Sequence, residues 1–124
     1  MKLDHDCVRE TLLSIEENEL TTEYRMITLL KNPRLDQFSP DIIFHVLQTL
    51  ESAGFIRGEE IKLPGGNFNF VIKEMTWQGH AFLDNIRDDA VWKEVNELSS
   101  KFESVSLNVL AETAASLLKE RLGN

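Results

Sequence analysis

Apolar positions recur at helical spacing from the start of the chain. Val8, Leu12 and Ile15 form one buried stripe on a helix that Asp4 can cap and that runs to about Asn18. A short extended piece follows around Arg25, Met26 and Ile27. Thr28 then stands where it can cap a brief second helix, and Pro33 breaks that helix or keeps it short. Ser39-Pro40-Asp41 is the strongest local signal: an N-cap hydroxyl, a proline at the first helical position and an acid facing the helix dipole. From there Ile43, Val46, Leu47, Leu50 and Ala53 share one face until Gly54, a residue suited to a left-handed terminus.

The period then changes from helical to alternating. Ile61 and Leu63 flank Lys62, while Phe68, Phe70 and Ile72 alternate with Asn69, Val71 and Lys73, and Pro64-Gly65-Gly66-Asn67 is turn chemistry between them. GxGxxG is absent, so the paired glycines read as a hairpin turn and not as a phosphate cradle. Helical spacing returns afterwards. Thr76 caps a segment from Trp77 to near Arg87, and Asp88 caps the next, with Val91, Val95, Leu98 and Phe102 at heptad-like intervals. Ser106 caps a last helix whose apolar face holds Leu107, Leu110, Ala111, Ala114, Leu117, Leu118 and Leu122, closed by Gly123.

Helix, short strand, helix, capped helix and hairpin is the order of a winged helix-turn-helix. The expected fold is therefore α+β and mostly helical, with a winged-helix core over residues 1–75 and a helical extension over 76–124 packed on it as one structural domain. Met75-Thr76-Trp77-Gln78-Gly79 resembles the hydrophobic-Thr-x-x-Gly step with which many bacterial winged-helix proteins start the helix after the wing. Four stretches also resemble a small uncharacterised family of bacterial and prophage proteins, a domain of unknown function. They are Met1 to Arg9, Leu50 to Ile56, Thr76 to Trp92 and Ser104 to Leu107, of which Gly79-His80-Ala81-Phe82-Leu83-Asp84-Asn85-Ile86-Arg87-Asp88 is the most specific. The resemblance implies a winged-helix architecture and a bacterial or phage source, and brings no activity, cofactor or catalytic residue.

Composition narrows the function. The 124 residues are 42% hydrophobic and 27% charged, proportions of an ordinary globular chain. Thirteen Lys and Arg against twenty-one Asp and Glu leave a charge of −8, spread with nets of −3, −2 and −3 over residues 1–33, 34–75 and 76–124. Such a surface repels nucleic acid unless its cations converge. The presumed recognition helix, residues 40–54, has no Lys or Arg. Its outward His45, Gln48 and Thr49 leave phosphate contacts to Arg34, Arg57, Lys62 and Lys73. The single Cys fits a reducing cytoplasm, and no apolar run approaches the roughly 20 residues that span a bilayer.

Candidate chemistry is sparse. His80, Asp84 and Asp88 would share a face of one continuous helix and could hold a metal, but Arg87 is a ready partner for Asp84 and Asp88 a ready cap. The favoured reading is a polar joint of Thr76, Trp77, His80, Asp84, Arg87, Asp88 and Trp92, with both tryptophans packed in the core. Cys7 lies in a first helical turn beside Asp4 and Asp6, which oppose thiolate formation, so an inert, partly buried thiol is expected. No acid–base pair or Ser-His-Asp set assembles, and no cofactor is implied. The expectation is a non-enzymatic interaction module whose partner is a protein. It is dimeric through Leu107, Leu110, Ala111, Ala114, Leu117 and Leu118, or uses those residues for helix packing. A sequence-specific DNA-binding regulator is the alternative, and an enzyme or metal site at His80, Asp84 and Asp88 comes third.

Overall fold

Side-chain oxygens set five of the helix starts, each at the residue the sequence nominates. Asp4 accepts from the Cys7 amide at 3.0 Å, Ser39 from Ile42 at 3.3 Å and Thr76 from Gly79 at 3.1 Å. Asp88 accepts from Val91 at 3.0 Å and Ser106 from Val109 at 3.2 Å. The computed structural model describes residues 2–18, 23–65 and 68–123. In chain order they form α1 (His5–Glu17), β1 (Tyr24–Arg25), α2 (Met26–Leu29), a 3-10 turn (Pro33–Leu35), α3 (Pro40–Ser52), β2 (Ile56–Lys62), β3 (Phe68–Met75), α4 (Trp77–Ile86), α5 (Asp89–Ser99) and α6 (Leu107–Gly123). The fold is mixed α+β and mostly helical, with six α-helices and one antiparallel sheet of three strands among the described residues.

The sheet order is β1-β3-β2, so the hairpin's second strand is central. Tyr24 pairs with Ile72 on one side of it, while Ile56 pairs with Met75 and Lys62 with Phe68 on the other. A bulge between Arg57 and Gly58 shifts the register. Gly54 ends α3 at φ +82, the left-handed geometry that only glycine adopts cheaply. Gly65 lies in the turn, whose remaining predicted residues, Gly66 and Asn67, are outside the described ones, as is Met1. One continuous apolar cluster runs from Cys7, Val8 and Leu12 through Leu47, Ile72 and Phe82 to Leu110, Ala114 and Leu117. Residues on both sides of position 75 therefore share a core. Among the described residues no helix is long and apolar enough to cross a membrane.

Several expectations change. The extended piece is Tyr24–Arg25, and Met26 already begins α2. Arg25, not Thr28, occupies the cap position, without a side-chain bond, because burying Met26 and Leu29 sets the turn. Strand β2 starts at Ile56 and ends before Leu63. Its burial does not alternate cleanly, which is why hydrophobic spacing found only its far end. Helix α5 stops at Ser99, so Leu98 is only partly covered and Phe102 lies beyond the helix. Leu122 is exposed, and Gly123 is still counted in α6 rather than closing it in a left-handed turn.

Candidate interaction surface

Three of the four cations expected to face DNA are already engaged. On the hairpin, Arg57 pairs with Glu74 at 3.4 Å and Lys73 with Glu59 at 3.9 Å. Arg34 turns to α1, pairing with Glu10 at 3.2 Å and Glu17 at 3.0 Å, and those carboxylates raise its pKa. Asn32 and Arg34 in turn hold the Glu17 carboxyl below the usual carboxylate range. Gln48 donates to Glu60 at 2.6 Å, and the Thr49 hydroxyl donates to the His45 carbonyl at 2.9 Å. His45 is half-buried and Lys62 exposed. Exposed pairs of this kind add little stability, but each one cancels a positive charge that a phosphate would need.

The joint between α4 and α5 is polar, and α1 supplies most of its partners. Asp84 accepts from Arg87 at 3.1 Å. Arg87 also forms two parallel bonds to Glu16 at 2.8 and 2.7 Å, and this pairing holds the Glu16 carboxyl below its usual range. Asp88 is spent on the Val91 amide. Sequence reasoning missed Arg9, which donates to the Ile86 carbonyl at 3.0 Å, the Arg87 carbonyl at 2.8 Å and Asp89 at 2.8 Å. Its guanidinium also lies 5.9 Å from the Trp92 ring centroid. Asp6 was missed too: it accepts from Trp92 Nε1 at 3.0 Å and from Asn96 at 3.2 Å. Asp6, Arg9 and Glu16 share one side of α1 beside its buried stripe, the only local signal that could have found them.

Trp92 is buried, as expected, but Trp77 is 80% exposed. It opens α4 on the side opposite Gly79, Phe82, Leu83 and Ile86, so the helix that buries them turns the indole outward. Thr76 fixes this corner by donating from its hydroxyl to the Gly54 carbonyl at 2.6 Å. His80 is half-buried. Among the described residues no three His, Cys, Asp or Glu side chains converge as a metal site. Cys7 is fully buried beside Thr11, and loss of solvent pushes its thiol up to about 11.

The stripe expected to dimerise is largely used inside the chain. Leu107, Leu110, Ala114 and Leu117 are buried, with α6 packed on α4 and α5, and Ala111 and Leu118 are partly covered. Apolar surface remains at the other end of α5, where Phe102 is 68% and Val109 49% exposed. They flank a groove of about 90 Å³ lined by Leu98, Val105 and Leu110. A wider cleft of about 320 Å³ and mixed lining adjoins it between Lys2, Leu3, His5, Asn96, Phe102 and Glu103.

A family model described as a hypothetical protein family, DUF2513, matches residues 2–106. A Haemophilus influenzae protein, itself uncharacterized, is 30% identical over 124 residues, covering 98% of this chain and 99% of its own. No solved structure matches. With the family's pattern running from the first helix past the α4–α5 joint, this chain belongs to the DUF2513 family of hypothetical proteins.

Proposed function

We propose that residues 1–75 are a winged helix-turn-helix with the hairpin as wing, that residues 76–124 are a helical extension on it, and that the unit makes protein contacts as a homodimer without catalysing a reaction. The element order and the sheet order β1-β3-β2, with the short first strand added to the wing's return strand, support the architecture. The observation that carries the functional reading is the chemistry of the presumed DNA face. Helix α3 has no Lys or Arg, its adenine-reading candidate Gln48 is tied to Glu60, and Arg57 and Lys73 are neutralised by Glu74 and Glu59. Exposed Trp77 and Phe102 are side chains of the kind that anchor protein interfaces. A phage or prophage origin, with acidity imitating nucleic acid toward a host factor, is a narrower form of this reading supported by the charge of −8. The unpaired Cys7 suits a cytoplasmic setting.

The test is fluorescence anisotropy with random duplex DNA at physiological salt. Ordinary DNA-binding proteins associate non-specifically with dissociation constants of about 10⁻⁴–10⁻⁶ M. The expected outcome is no change at micromolar protein. A change that weakens steeply with added salt favours the DNA-binding regulator instead.

A further inference from the structure

We propose that the end of α5, the loop after it and the start of α6 form the self-association surface of this protein, occupied by a second copy of the chain about a two-fold axis near Phe102. The inference rests on the homodimer reading above and names its surface. Three observations converge on it. Phe102 is 68% exposed beside an almost wholly apolar groove of about 90 Å³. That volume is roughly three times the space of a liquid water, enough for the edge of an aromatic ring. The apolar stripe of α6 is mostly covered by α4 and α5, and of the apolar residues that α6 leaves exposed, Val109 and Leu122, Val109 adjoins this patch.

The third observation selects the occupant. Phe102 sits between a cation and an anion, Lys101 and Glu103, both exposed and neither in an ion pair among the described residues. Opposite charges on either side of one aromatic residue are self-complementary. An antiparallel two-fold apposition sets Lys101 against the partner's Glu103 and Glu103 against the partner's Lys101, while each Phe102 ring enters the other copy's groove.

Light scattering and sedimentation over a concentration series test this. The wild type is expected to reach twice 14.2 kDa. Phe102→Ala should be monomeric and should melt where the wild type melts when diluted to monomer, because the ring it removes is exposed within one chain. Lys101→Glu and Glu103→Lys should each weaken dimerisation roughly tenfold or more, because each sets like charges together twice. An equal mixture of those two variants should recover a dimer, since all four crossed charges are then opposite. A wild type that stays monomeric overturns both this surface and the homodimer reading. A dimer unmoved by the three variants overturns the surface alone, and a mixture that stays monomeric overturns the two-fold register. None of these results touches the DNA test, so the two readings fail separately.

Discussion

A methyl group added at Gly79 would meet the carbonyl oxygen of Phe55, with Met75 Cγ 2.8 Å away. Glycine is a poor residue for a helix interior, and replacing it by alanine there ordinarily gains up to about 1 kcal/mol. At this position sterics decide the sign, because the obstacle is backbone and cannot step aside as a flexible side chain would. Gly79→Ala is expected to lose about 1–3 kcal/mol, seen as a lower urea midpoint; a higher midpoint would show that α4 can back away from Phe55. Trp77, two residues earlier, teaches the complementary lesson. A large aromatic side chain is not a core residue by virtue of its size. Its angular position on the helix was readable from the spacing of Phe82, Leu83 and Ile86, and it pointed outward.

Among the elements, α1 is tied to the α4–α5 joint by the Arg87–Glu16 pair, by Asp6 and by Arg9, and Arg9 is the less exposed of the two arginines. Arg9 is 14% exposed and answers two main-chain carbonyls, whereas its carboxylate partner Asp89 is 95% exposed. Removing the two ends of this one ion pair should therefore have unequal effects. Arg9→Ala leaves the carbonyls of Ile86 and Arg87 without their donor and should cost about 1–3 kcal/mol. Asp89→Ala should cost much less, since an exposed pair contributes little. Equal losses in thermal unfolding would mean that the pair itself, and not the carbonyls, matters. The contrast also marks what was legible beforehand. Caps such as Ser39 and Asp88 act within three residues, so sequence spacing reveals them. Arg9 and Ile86 are 77 positions apart, and nothing local announces such a partner. The pairing of Gln48 with Glu60 and of Arg57 with Glu74 was hidden for the same reason. The absence of Lys and Arg from α3 could be read directly, but the neutralisation of its neighbours could not. Ends of elements suffered most. Strand β2 is interrupted by a bulge between Arg57 and Gly58 and helix α5 ends toward solvent, neither of which follows hydrophobic period.

For the molecule as a whole, α6 is the decisive segment. The family match ends at residue 106, just before α6 begins, yet Leu107, Leu110, Ala114 and Leu117 belong to the central apolar cluster. Burying one leucine contributes roughly 1.5–3 kcal/mol, and a whole domain is stable by only about 5–15 kcal/mol. Leu110→Glu forfeits one such contribution and also buries a carboxylate, so its melting temperature should drop on the order of 10 °C. An unchanged melting curve would show that α6 docks without supporting the fold.

The same packing gives the protein a direction in time. A chain emerging from the ribosome offers α1 to α5 first, and the covering surface for α4 and α5 arrives only with residues 107–117. At about 5–20 residues per second that delay lasts on the order of a second. During it the growing polypeptide presents greasy, half-finished helices, which is when a chaperone, a protease or a neighbouring nascent chain competes with the last helix for them.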